Sequence, residues 1–96
     1  MKYSNDQSLG SAIEQFLKAY RLDDKVNERK LIHSWEAVVG KMIAGHTRDL
    51  SIRNKILFVR IDSSALKNEL IYQKERLINS LNETAGVKVI IDIVFN

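Results

Sequence analysis

Apolar positions follow a helical period over some stretches of the chain and a two-residue period over others, and each switch marks an element boundary. Leu9, Ala12, Ile13, Phe16, Leu17 and Tyr20 form a full amphipathic stripe, so a first helix is expected from about Ser8 to Tyr20. Ser8 supplies an N-cap hydroxyl, and Gly10 weakens the first turn. A short connection over 21–24 leads to a second helix, with Asp23 or Asp24 at its positive dipole end. Val26, Leu31, Trp35, Val38, Val39, Met42 and Ile43 mark its buried side, flanked by Ile32. Gly40 falls inside that pattern at a cost of about 1 kcal/mol relative to Ala, which close packing or a kink would offset. Gly45 reads as the left-handed residue just past the helix end.

From Arg48 the period becomes two. Leu50 and Ile52 share one side of a strand over 48–53, and Leu57, Val59 and Ile61 share one side of a second strand over 56–62. Asn54-Lys55 between them fits a two-residue hairpin turn; Asn tolerates positive φ, whereas Lys is less comfortable there than Gly. A third helix is expected from about Ser64 to Thr84, with Leu66, Leu70, Leu77 and Leu81 on one face, joined by Ile71 and Ile78. Asp62, Ser63 and Ser64 offer caps at its start, and Ala85-Gly86 offers a stop. A closing strand over 87–95 sets Val89, Ile91, Ile93 and Phe95 on the core face. The order α-α-β-β-α-β implies an α+β fold. Its three-stranded sheet is mixed: the hairpin is antiparallel, the last strand is brought parallel by the third helix, and helices cover one face. Residues 1–7 are expected to be a flexible N-terminus ahead of a single domain over 8–96.

The other face of this sheet is mixed rather than polar. Alternation sends Ser51, Arg53, Ile56, Phe58, Arg60, Ile90, Asp92 and Val94 outward. An aromatic ring among arginines can stack a base and hold a phosphate, and a partly apolar strand surface can contact protein. Equally, the first helix can cover this face, or two copies can pack there.

Charge singles out the same region. Between residues 41 and 60, Lys41, Arg48, Arg53, Lys55 and Arg60 stand against Asp49 alone, a local balance of +4 in a chain of net +3. Such a patch can steer a polyanion or an acidic partner, although on charge alone a solvated basic rim is the preferred account. Hydrophobic residues at 45% and charged residues at 28% fit an ordinary globular chain of 96 residues, one domain in size. The absence of cysteine excludes disulfides, thiolate metal sites and cysteine nucleophiles. No apolar run is long enough to span a bilayer, and residues 1–6 lack a signal-peptide pattern, so a cytoplasmic location without membrane attachment is expected.

No catalytic constellation emerges. His33 and His46 match no zinc spacing, and Ser63-Ser64 reads as a helix cap rather than a nucleophile. Gly40 and Gly45 lack the lysine of a phosphate-binding loop. The expectation is a protein that is not an enzyme, with no cofactor, no metal and no small-molecule substrate. There is also no Gly-x-x-Gly, the loop by which KH modules clamp a nucleic-acid backbone.

The run Trp35-Glu36-Ala37-Val38-Val39-Gly40-Lys41-Met42-Ile43-Ala44-Gly45-His46-Thr47 resembles the signature of the DciA family. Leu57-Phe58-Val59-Arg60-Ile61 resembles the family's second strand, and the stretch from Ser63 to Leu70 its Ser-x-x-x-x-x-Glu-Leu helix start. The runs 77–82 and 89–95 resemble its helix end and last strand, so the likeness covers roughly residues 10 to 96. The resemblance implies a bacterial protein of replication initiation, a partner that assists loading of the replicative DNA helicase rather than an ATPase, with a fold similar to a KH module. It implies structural signature roles for Trp35, Gly40, His46 and Thr47. Many family members carry a long basic or disordered extension, whereas this sequence stops at its last strand, as expected of a short form. The candidate surface for helicase or for single- or double-stranded DNA is Lys41, Arg48, Arg53, Lys55, Phe58 and Arg60. A small nucleic-acid-binding module and a structural or oligomer-forming domain are the competing readings.

Overall fold

A computed structural model describes residues 5–19 and 22–96, with the side chains of 5–8, 17, 18 and 22 not among those described. Its elements are α1 (Asn5–Ala19), α2 (Leu22–His33), α3 (Trp35–Val39), α4 (Lys41–Gly45), β1 (Thr47–Arg53), β2 (Ile56–Ile61), α5 (Ser64–Tyr72), α6 (Lys74–Ala85) and β3 (Asp92–Phe95). The sheet has three strands in the order β1-β2-β3, antiparallel between β1 and β2 and parallel between β2 and β3. This is the mixed α+β arrangement that the periodicity predicts.

The expected helices are subdivided, and two of the breaks have local causes. The second ends first at Ser34, whose buried hydroxyl donates to the Leu31 carbonyl at 2.7 Å and so competes with the helical ladder. It breaks again at Gly40, where φ 94° and ψ 165° form a backbone state open essentially to glycine alone. Gly45, expected to be left-handed, is instead the last residue of α4, and the chain turns at His46 with φ −97°. The third helix divides at Gln73. Its capping is as the sequence implies: Ser63 Oγ accepts from Leu66 N–H, and Gly86 is left-handed with φ 83°. Asn54 and Lys55 both have positive φ, 53° and 65°, the geometry of a primed two-residue hairpin turn.

β3 is shorter than the expected strand over 87–95. Asn82 holds the approach to it: its Oδ1 accepts from the Val89 and Ile90 amides at 2.8 and 3.0 Å, and its Nδ2 donates to the Ile90 carbonyl at 2.9 Å. Backbone bonded to a helix side chain cannot also pair as strand, and the alternation shifts. Ile90 is therefore buried and Ile91 exposed, the reverse of the expected facing.

One core joins the layers. Leu31 and Trp35 come from the helices ahead of the sheet, Leu57, Val59 and Ile61 from β2, Leu77, Leu81 and Ala85 from α6, and Ile93 from β3. Val26, Met42 and Ile71, expected inside, are exposed.

The largest departure is at the first helix. It begins at Asn5, so Ser8 lies within it rather than capping it, and Tyr20 and Met1–Ser4 fall outside the described residues. Leu9 and Ile13 on its apolar stripe are 63% and 52% exposed. α1 packs mainly on α2 and projects from the body, giving extents of 60 × 21 × 20 Å and a radius of gyration of 16.6 Å, against about 12–13 Å for a compact chain of this length. Among the described residues, no helix is long and apolar enough to cross a membrane.

Candidate functional site

Two clusters emerge from the region singled out by charge. The first is a corner where α4 passes into β1. Trp35 is buried, and its indole N–H donates to Thr47 Oγ1 at 3.0 Å; that hydroxyl in turn donates to the Ile43 carbonyl at 2.8 Å. Beside it, His46 Nδ1 lies 2.7 Å from Asp62 Oδ1, while Arg48 Nε donates to Asp62 Oδ2 at 2.7 Å. The Asp62 amide donates to the His46 carbonyl at 3.0 Å. Asp62 thus clasps the start of β1 to the end of β2. Its hydrogen bond to His46, and then that to Arg48, hold its carboxyl below the usual carboxylate range. Trp35, His46 and Thr47 lie at this corner, while Gly40 marks the break between α3 and α4.

The second cluster is the outer face of the sheet. Core-facing Leu57, Val59 and Ile93 turn Ile56, Phe58 and Val94 to the opposite side, where all three are half-buried. Phe58 sits centrally, paired in register with Ser51 on β1 and Val94 on β3. The Arg53 guanidinium lies over its ring, 4.6 Å from the centroid. This cation–π contact keeps the charge at the ring face, and the guanidinium retains N–H donors for a phosphate or carboxylate. Arg60 is exposed on the same face, opposite Asp49. Neither Arg53 nor Arg60 forms an ion pair among the described residues.

The remaining cations are dispersed. Arg48 is committed to Asp62. Lys41 is exposed on α4, away from the hairpin turn. Lys55 occupies that turn and lines an open groove of about 470 Å³ with Asp23, Asp24 and Lys88. The structure therefore brings together Arg53, Phe58 and Arg60, and separates Lys41, Arg48 and Lys55 from them. Among the described residues no cluster of His, Cys, Asp and Glu could hold a metal ion.

The sequence reading missed two residues. Asp62 passed for a cap, which Ser63 provides, and Asn82 entered only as the last residue of the run 77–82, with no structural role of its own. The partners that give each its role lie too far along the chain for periodicity to reveal.

The model of the family described as "Dna[CI] antecedent, DciA" matches residues 8–95. The chain belongs to the DciA family. Curated relatives agree in extent: a UPF0232 protein of Corynebacterium glutamicum is 28% identical over 87 residues, covering 91% of this chain and 49% of its own length. A UPF0232 protein of Mycobacterium tuberculosis is 29% identical over 84 residues, covering 88% of this chain and 45% of its own. This DciA chain therefore spans about half the length of the curated relatives it matches. The matched region includes both the Trp35 corner and the Arg53–Phe58 face.

Proposed function

We propose that this chain is a non-enzymatic adaptor that assists loading of the replicative DNA helicase in bacterial replication initiation. The observation that carries this reading is the family match over residues 8–95. The site chemistry is consistent with it. Arg53 and Arg60 flank a half-buried apolar centre, a composition suited to an acidic and apolar protein surface. The proposed helicase contact is this face, centred on Arg53, Phe58 and Arg60.

The test is a titration of the labelled protein against the purified helicase of the same bacterium, with and without single-stranded DNA. Saturable binding, weakened at least tenfold by Arg53→Glu with Arg60→Glu, is the expected result. Binding untouched by both reversals would move the contact elsewhere. No binding at all would remove the adaptor reading.

The stacked Arg53–Phe58 pair favours a second reading, a single-strand nucleic-acid module. On that reading binding falls steeply with salt, because phosphate contacts release counterions. Phe58→Ala would then remove roughly 1–3 kcal/mol, the usual worth of a base stacked on an aromatic ring. A salt-independent isotherm would count against it.

A further inference from the structure

β1 and β3 are the two edges of the sheet, and they are finished differently. The Val59 carbonyl accepts from the Asn96 amide at 2.8 Å, and the Ile61 amide donates to the Asn96 carbonyl at 3.1 Å. These residues of β2 therefore turn their backbone to the β3 side, and Ile56, Phe58 and Arg60 turn theirs to β1. The hairpin turn has the same phase. Arg53 and Ile56 flank two residues of positive φ, and a primed two-residue turn closes on a hydrogen-bonded pair. On β1 the residues bonded to β2 are thus Asp49, Ser51 and Arg53, and the N–H and C=O of Leu50 and Ile52 point off the sheet. Among the described residues, none supplies a partner for these four groups. The register shift at 47–49 lies before them, and pairing from Asp49 to Arg53 is regular.

β3 treats its own edge in another way. There Ile93 points outward; Asp92 Oδ1 accepts its amide at 2.8 Å, and Lys74 Nζ lies 3.2 Å from the same oxygen. A charged side chain folded over an edge amide discourages strand addition. β1 instead leaves two donors and two acceptors open, at residues about 7 Å apart along the strand.

The side chains along β1 define the strand that would fit. Leu50 and Ile52 face the core yet are only half-buried, whereas Val59 and Leu57, their partners in register, are fully buried. A strand added outside β1 sets alternate side chains beside Leu50 and Ile52, and the intervening ones beside Ser51 and Arg53 on the outer face. Apolar residues suit the first set. The second meets the Arg53 guanidinium, which has no ion pair and lies in the stretch of local balance +4, so a carboxylate suits the position beside it.

We propose that the helicase contributes an extended segment, apolar at alternate positions and acidic beside Arg53, which adds to β1 as a fourth strand. Main-chain hydrogen bonds then hold the segment, and the apolar and acidic positions select it and set its register. The proposal rests on the helicase reading and adds how the contact is made. A nucleic acid cannot continue the ladder, so the edge separates a protein partner from a polyanion.

The test is hydrogen exchange of the full chain, quenched and read residue by residue, at two protein concentrations and with the purified helicase of the same bacterium. In the free chain the Leu50 and Ile52 amides should exchange fast while Ser51 and Arg53 are protected. With helicase, the Leu50 and Ile52 amides should slow by about tenfold or more. Leu50→Pro removes an outward donor without touching a ladder bond, and should weaken helicase binding by about tenfold or more. If its thermal transition shows that this variant does not fold, exchange of the wild type decides. Helicase binding that leaves both amides unchanged would overturn strand addition while the adaptor reading stands, as would full binding by folded Leu50→Pro. No binding would remove both. Protection of the two amides that grows with protein concentration, without helicase, would place a second copy on the edge and overturn the proposal. Slow exchange at both concentrations would do the same, because the chain itself would then cover β1.

Discussion

At the residue scale, the corner around Asp62 makes stability depend on pH in one direction. Its carboxyl is held below the ordinary range when folded, so the clasp contributes while the pH stays above that range. The contribution fades as the pH falls through the folded-state value. Asp62→Asn should therefore lower Tm near neutral pH, and the gap from wild type should close as melts are repeated toward pH 3. A constant gap would mean that the charge is not the contribution. Asn82 serves two amides and a carbonyl in a part-buried setting. Asn82→Ala leaves those groups without their partner and should cost about 1–3 kcal/mol in denaturant unfolding. Neither role was legible in the sequence: Asp62 looked like one of three adjacent caps, and Asn82 like any polar residue on a helix.

At the element scale, the sequence was most informative where a residue's own chemistry decides the backbone. The hairpin, the Ser63 cap and the Gly86 stop depend on neighbours two to four positions away, and each is where periodicity and turn chemistry predict it. Gly40 was legible as an anomaly but not as a break, because helical spacing continues across it while its φ of 94° does not. Gly40→Ala should cost roughly 1–3 kcal/mol through backbone strain alone, since nothing lies within 4 Å of the added methyl. Lys55 has φ 65°, a conformation glycine adopts without penalty. Lys55→Gly should thus stabilise the hairpin by up to about 1 kcal/mol, read as a rise in denaturant midpoint. The facing of Ile90 and Ile91 was misread because alternation holds only for paired strand, and at 89–90 the backbone bonds to Asn82 instead. Of the candidate cations, alternation brought Arg53 and Arg60 to one face with Phe58. The dispersal of Lys41, Arg48 and Lys55 depended on tertiary partners.

At the scale of the whole molecule, the core and the exposed residues of α1 are separate. The core is built from the sheet, α6 and the Leu31–Trp35 segment, while the α1 stripe stands outside it. Ile13→Glu should leave the unfolding free energy within about 0.5 kcal/mol of wild type, whereas Leu81→Ala should cost about 2–5 kcal/mol. A matched pair of denaturation curves would check this, and equal losses would mean that α1 is part of the cooperative unit. The Asn82 contacts also have a consequence for the order of assembly. The parallel ladder joins Ile56 to Asp92 across α5 and α6, a long loop to close, whereas Asn82 meets Val89 and Ile90 seven and eight positions away. Short loops close first because they lose less chain entropy. The side chain can therefore fix the direction and register of β3 before that strand reaches β2, so its removal should slow refolding more than it speeds unfolding.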